Sequence, residues 1–347
     1  MKREKIYSKL FFLSFFVFLL CYTSTAFADL KWSHRGTEYN LTRAGIYKGL
    51  SLPVAPGVTN GASSLFGGVM SPEPPPANRL LFLNYQQFLY FDRLMDHKGS
   101  TVNHRLNAVT YAMFNRILYT SPISFANGNA RIIPEIAIPW ATSRVKVDGE
   151  TYKRTGMGDI KVGASVYWKN MFSVKGNSFD GFIGLDLSLP TASYKRDHLN
   201  LGSNIYELLF FFETFALLDI GMGDGLLWKN HLQFNYYTKN NDFTNPVTHD
   251  HNSTYLFGHY LQYNCMLVYK FSRETGLGIA GFYNQQLFND KMDSHEIRNS
   301  KEMAMGIGPL VTYAAHHIEC SLRTIFIIEA ENYPQGSVST LIFNFTF

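Results

Sequence analysis

A few groupings in this chain have side chains and spacings that could support chemistry. His249-Asp250-His251 and His316-His317 offer imidazole nitrogens, common ligands for zinc. Two ligands at i, i+2 still leave a tetrahedral ion two short, so solvated loop and turn positions are the better reading and no metal is expected. Gly156-x-Gly158 and Gly221-x-Gly223-Asp224-Gly225 have the glycine spacing of phosphate loops. Neither is followed by Lys-Ser/Thr or set between a strand and a helix, so they read as turn glycines. Serines, histidines and acids are plentiful, but there is no Gly-x-Ser-x-Gly elbow. A serine and a histidine brought together at a barrel rim would be a spatial site rather than a sequential one, so that alternative stays open. No cofactor is expected, and the expected answer on catalysis is that the chain is not an enzyme.

The more telling polar residues are charges set singly into apolar segments: Arg131, Glu135, Asp159, Lys161, Asp186, Glu207, Glu213, Lys229, Arg323 and Glu329. The apolar residues around them alternate, the period of a half-buried strand. Ile160, Val162, Ala164, Val166 and Trp168 share one face, opposite Asp159, Lys161, Gly163, Ser165, Tyr167 and Lys169. Leu185, Leu187 and Leu189 flank Asp186, and Trp228, Leu232, Phe234 and Tyr236 oppose Lys229, His231, Gln233 and Asn235. Twelve strands are expected, near 79–92, 104–120, 130–143, 157–172, 180–192, 204–218, 226–239, 253–271, 275–288, 302–315, 318–331 and 337–347, the first two alternating less cleanly. The connections after the first, third, fifth, seventh and ninth strands are long and polar, such as Ser143–Thr155, Asn240–Asn252 and Asn289–Lys301. Those after the sixth, eighth and tenth are short. Long loops at one end and tight turns at the other belong to an outer-membrane barrel.

The expected fold is therefore an all-β, antiparallel transmembrane β-barrel of about twelve strands over 79–347. Lipid offers no hydrogen bonds, so a spanning sheet must close on itself. The isolated charges must then face the lumen, where both signs occur and can pair. Cys265 and Cys320 fall on lipid faces of non-neighbouring strands and are expected to be free thiols. Composition agrees: aromatics make up 16% of the 347 residues and charged residues 17%, against about 25% charged in a soluble domain. A mean hydropathy of −0.10 is what a lipid face and a lumen face average to.

Two segments precede the barrel. Residues 1–28 read as a signal peptide: Lys2, Arg3, Lys5 and Lys9, the apolar run Leu10–Leu20, and Ala26-Phe27-Ala28 before the cleavage point. Its loss takes the formal net charge from +4 to +1, and a near-neutral chain has no nucleic-acid footprint. Residues 29–78, rich in glycine and proline, read equally as a plug folded into the lumen or as a periplasmic extension. The chain ends on Leu341, Phe343, Phe345 and Phe347 on one strand face. This resembles the C-terminal signature by which the barrel-assembly machinery recognises outer-membrane proteins.

In order along the chain come Pro56-Gly57 through Pro72, Gly156-Met157-Gly158-Asp159-Ile160-Lys161-Val162-Gly163, Leu187-Ser188-Leu189-Pro190-Thr191 and Asn200-Leu201-Gly202-Ser203-Asn204. The Gly276–Gln286 strand and Gly306-Ile307-Gly308-Pro309 follow. With these motifs, residues 53–347 resemble the outer-membrane transporters associated with the meta-pathway of phenol degradation. Pro74-Pro75-Pro76-Ala77 departs from that pattern by lacking a glycine. The resemblance implies passive movement of small hydrophobic or aromatic molecules across the bacterial outer membrane, with outer-membrane lipids, the assembly machinery acting on Phe347, and small apolar solutes as partners. The alternatives are a structural or surface-interaction barrel and a barrel enzyme acting on lipid.

Overall fold

The computed structural model describes residues 77–102, 106–174, 176–194, 199–243, 253–315 and 318–347. The expected signal peptide, residues 29–76 of the expected extension, His249-Asp250-His251 and His316-His317 lie outside the described residues.

Twelve strands span the barrel: β1 (Arg79–Leu94), β2 (Leu106–Thr120), β3 (Ala130–Val147), β4 (Lys161–Val174), β5 (Asn177–Ser188), β6 (Glu207–Leu218), β7 (Gly225–Tyr237), β8 (Tyr260–Lys270), β9 (Thr275–Gln286), β10 (Met303–Ala315), β11 (Ile318–Glu331) and β12 (Pro334–Thr346). Each pairs antiparallel with its chain neighbours, and β12 returns to β1 from Leu81↔Thr346 to Leu94↔Pro334. The ring has no free edge, so every spanning backbone group finds a partner without water. At about 3.3 Å per residue, eleven to eighteen residues are enough to cross a tilted hydrocarbon layer.

Alternation sorts the side chains. On β7, Lys229, His231, Gln233, Asn235 and Tyr237 are buried inside, whereas Leu232 and Tyr236 are exposed outside. Ile183, Leu185, Ile279, Leu322 and Phe326 stand exposed on the outer wall, an apolar band fit for lipid. Aromatic residues mark its two edges. Tyr119, Phe125, Trp168, Trp228, Phe271, Tyr313 and Phe347 ring the end with the short turns, and Tyr90, Tyr206, Tyr236 and Phe288 the other. Cys265 and Cys320 are free and half-buried on β8 and β11, strands separated by two others.

Where the strands depart from expectation, local chemistry explains it. The connection expected over Ser143–Thr155 is instead a hairpin: β3 runs on to Val147, turns at Asp148-Gly149 and returns as Glu150–Met157. Both turn residues have positive φ, 48° and 96°, the geometry that an Asp-Gly two-residue hairpin turn requires. The strand expected over 253–271 is two pieces. Only Tyr260–Lys270 spans; Ser253–Leu256 joins Asn240–Phe243, Lys291–Met292 and His295–Glu296 in a small sheet at the long-loop end. The Gly221–Gly225 motif is the turn between β6 and β7. Gly223 sits at φ 58°, where a Cβ would come 2.4 Å from the Lys270 carbonyl oxygen, so a side chain is excluded there by sterics rather than by any phosphate.

Candidate functional site

The lumen is where the barrel's ionisable groups meet. Near its middle Arg116 of β2, 2% exposed, bonds Glu135 of β3 and lies 4.0 Å from Asp186 of β5. Lys161 of β4 reaches Glu207 of β6 at 3.3 Å. Lys229 of β7 lies 2.8 Å from Glu213 of β6, with both side chains at 2% exposure or less. Arg323 of β11 points an Nη1 across the lumen to the Met266 sulfur of β8, 3.9 Å away. A bare charge in so low a dielectric costs several kcal/mol, so such groups persist only when paired and hydrogen-bonded. Opposite signs meet that requirement for Arg116, Lys161 and Lys229, on adjacent strands for Arg116–Glu135 and Lys229–Glu213 and across one strand for Lys161–Glu207.

Along β7 the pairs extend into a ladder. The strand period of two aligns every second side chain on one wall. Glu213 meets His231 Nδ1 at 3.1 Å; His231 Nε2 meets Gln233 Oε1 at 3.1 Å. Gln233 donates to Asn235 Oδ1 at 2.7 Å, and Asn235 donates to Glu207 at 2.8 Å and to the Tyr237 hydroxyl at 3.3 Å. The ladder runs from Lys229, near the turn end, to Tyr237 at the long-loop mouth. The rest of the wall mixes apolar groups, among them Leu83, Leu89, Phe182, Phe211, Phe215, Ile325, Val338 and Ile342, with neutral polar ones such as Gln87, Thr110, Gln262 and Thr340.

A second polar cluster lies at the long-loop end of the barrel. Asp290 accepts from the Tyr255 hydroxyl at 2.6 Å, from the Gly258 backbone at 2.8 Å and from Gln286 at 2.8 Å. Tyr260 donates to Gln286 at 3.1 Å and also bonds Glu302. Burial raises both acids, Asp290 to about 6 and Glu302 to about 8, with the hydrogen bonds from their partners acting in the opposite direction.

Of the residues singled out from sequence, Glu135, Asp186, Glu207, Glu213, Lys229 and Arg323 line the lumen wall as buried groups, and Lys161 and Arg131 sit half-buried on the same face. Two stand elsewhere. Asp159 precedes β4 rather than lying in it, and clamps the next loop by accepting from the Ala192 and Ser203 backbone at 3.0 and 2.9 Å. Burial raises its carboxyl. Glu329 follows a bulge: the register jumps from Gly306↔Ile327 to Met305↔Glu329, which leaves Ile328 extra. That one-residue slip carries Glu329 to the outer face beside Met305 at the long-loop rim. Arg116, at the centre of the belt, and His231 were not singled out. Arg116 shares strand parity with Leu118 and Thr120, the signal that places it inside. Among the described residues no group of three or more His, Cys, Asp or Glu could hold a metal ion.

The model of the family described as "Putative MetA-pathway of phenol degradation" matches residues 91–341. No curated protein matches the chain. Among solved structures, an outer-membrane channel from Pseudomonas putida F1 superposes with a TM-score of 0.67 at 15% identity, over 80% of this chain and 99% of that one. The transport unit of the autotransporter AIDA-I from Escherichia coli superposes with a TM-score of 0.50 at 10% identity, over 82% of this chain and 95% of that one. Both share the barrel fold.

Proposed function

The chain belongs to this phenol-degradation family, and from that membership and the chemistry of its lumen we propose that it is an outer-membrane channel through which small hydrophobic or aromatic molecules pass by diffusion. The observation that carries the reading is the internal neutralisation of the lumen charges. Arg116 with Glu135 and Asp186, Lys161 with Glu207, and Lys229 with Glu213 spend their fields on one another, so the wall selects weakly for ions. Beside them lies a continuous apolar and aromatic surface that includes Phe182, Phe211 and Phe215, which offers contact without specificity. The P. putida neighbour, an outer-membrane channel, supports the same reading.

The test is uptake of toluene and of 4-methylphenol into vesicles whose outer leaflet carries lipopolysaccharide, a layer that slows apolar solutes. Faster uptake than into protein-free vesicles is expected for both. Rates equal to the protein-free control for both would remove the reading.

Insertion is read from the last strand. Phe347 is 67% exposed and its backbone donates to the Leu80 carbonyl at 3.0 Å, at the turn end of the outer wall. We propose that this aromatic end is what the assembly machinery grips and that outer-membrane lipid then covers the band above it. Deleting Phe347 is expected to lower the amount of heat-modifiable, folded barrel in cells several-fold while leaving refolding into detergent intact. Undiminished assembly in cells would count against the role.

A further inference from the structure

Among the described residues Asn284 is the one lumen amide with neither hydrogen-bonding group satisfied, and Asn264 on the next strand lacks a partner for its Nδ2. Asn284 of β9 is 1% exposed, and neither its Nδ2 nor its Oδ1 has a partner; Asn264 of β8, 9% exposed, has an unpartnered Nδ2. Leaving a buried donor or acceptor unmade costs about 1–3 kcal/mol, so such an atom in a native wall calls for an explanation. The adjacent ladder does not supply partners. His231 stands directly opposite Asn264 in the register but spends its two ring nitrogens on Glu213 and Gln233.

The neighbouring wall sets small residues beside these amides, and the Phe282 ring packs over Gly306. Asn284 pairs with Ala304 and Phe282 with Gly306, so β10 presents its smallest inward residues beside them. Phe282, two residues along the same face from Asn284, adds an aromatic surface. A carboxamide carries both donor and acceptor and no charge. It complements a neutral group that also does both, such as a hydroxyl, and gives nothing extra to a hydrocarbon.

We propose that Asn284 and Asn264, flanked by Phe282, form a station in the outer half of the lumen that reads a neutral hydrogen-bonding head on an otherwise apolar solute. The station deepens the diffusion-channel reading, and rests on it, by adding discrimination among aromatic molecules of equal size. A solute in transit completes the amide's hydrogen bonds while its ring lies against Phe282.

The experiment separates the two readings. Binding of 4-fluorophenol and of fluorobenzene to the full chain in lipid nanodiscs is followed by 19F NMR, with empty nanodiscs as the blank. The wild type is expected to bind 4-fluorophenol about five- to tenfold more tightly, the span of one or two net hydrogen bonds. Asn284→Leu, an apolar near-isostere, is expected to bring the two solutes to parity with fluorobenzene binding unchanged, and Asn264→Leu to give part of that loss. Folding of each variant is checked by heat-modifiable mobility. Equal binding of the two solutes by the wild type, a preference that survives Asn284→Leu, or a variant that loses both solutes alike would overturn the station. Absence of uptake into vesicles overturns the channel reading instead, and leaves the binding comparison to decide the station by itself.

Discussion

Replacing Lys229 with Met is expected to cost the folded barrel about 3–5 kcal/mol, the usual penalty for stripping one partner from a buried ion pair. Lys229 and Glu213 meet at 2.8 Å with side chains 2% and 0% exposed. No solvent reaches Glu213 to replace the ammonium. Once Lys229 is gone, only His231, at 3.1 Å from the other carboxylate oxygen, still addresses the charge. The loss should be read as a lower urea midpoint for unfolding from lipid vesicles. The companion variant K229M/E213Q removes both charges together and should recover most of the stability, because neutral groups of similar volume are as stable as a buried pair or more so. Stability equal to the wild type in Lys229→Met alone would show that water reaches Glu213 and that the belt is a wetted rim. An unrecovered double variant would mean that Lys229 acts through packing of its stem. The argument separates the two because only an electrostatic role makes the second substitution restorative.

The pairing follows from topology that was largely legible before any coordinates. Strand number could be read because lipid demands alternation and most connections alternate long and short, visible at Asn289–Lys301 against Ser272–Thr275; the two-residue connection Asn332-Tyr333 between β11 and β12, at the long-loop end, breaks that order. β1 and β2 blurred that period for a physical reason. Their outer faces carry Asn84, Gln86 and Asn115, which satisfy one another: Asn84 donates to Asn115 at 2.8 Å, Gln86 to Asn84 at 3.0 Å, and Tyr111 to Gln86 at 3.3 Å. Polar residues on the lipid side erase the contrast that periodicity relies on, and Arg116 went unselected in the same stretch. The bulge at Ile328 is a different failure. One extra residue leaves the composition of a strand unchanged and reverses the face of everything beyond it, so Glu329 could not be placed by counting. The Asp148-Gly149 turn, by contrast, was readable from its residue types and was hidden only by the polar hairpin around it.

The loop cluster at the mouth should loosen as pH rises. Asp290 and Glu302 are both raised, to about 6 and about 8, because burial penalises the carboxylate. A raised acid binds its proton more firmly in the closed loop than in the open one. Its contribution to closure is therefore complete below the ordinary carboxylate range near 4 and is lost as pH climbs through the folded value. The window runs from about pH 4 to about pH 8, with Asp290 giving way first. The groups packed around the two acids do not offset this. Tyr237, Tyr255, Tyr260 and Tyr333 face them with hydroxyls, and Gln286 and Gly258 with neutral donors. Among the described residues no cation is recorded acting on either acid. Hydrogen exchange of the 287–302 amides, corrected for the intrinsic rate at each pH, should report opening higher at pH 9 than at pH 5 by on the order of a thousandfold or more. Glu302→Gln should flatten most of that rise, because the amide keeps a hydrogen-bonding side chain in place and removes the charge that burial resists. A corrected opening rate that stays constant across the window would mean that the mouth is held by the small sheet of Asn240–Phe243, Ser253–Leu256, Lys291–Met292 and His295–Glu296 alone. A rise that persists in Glu302→Gln would assign the effect to Asp290, the acid that binds Tyr255, Gly258 and Gln286 at once.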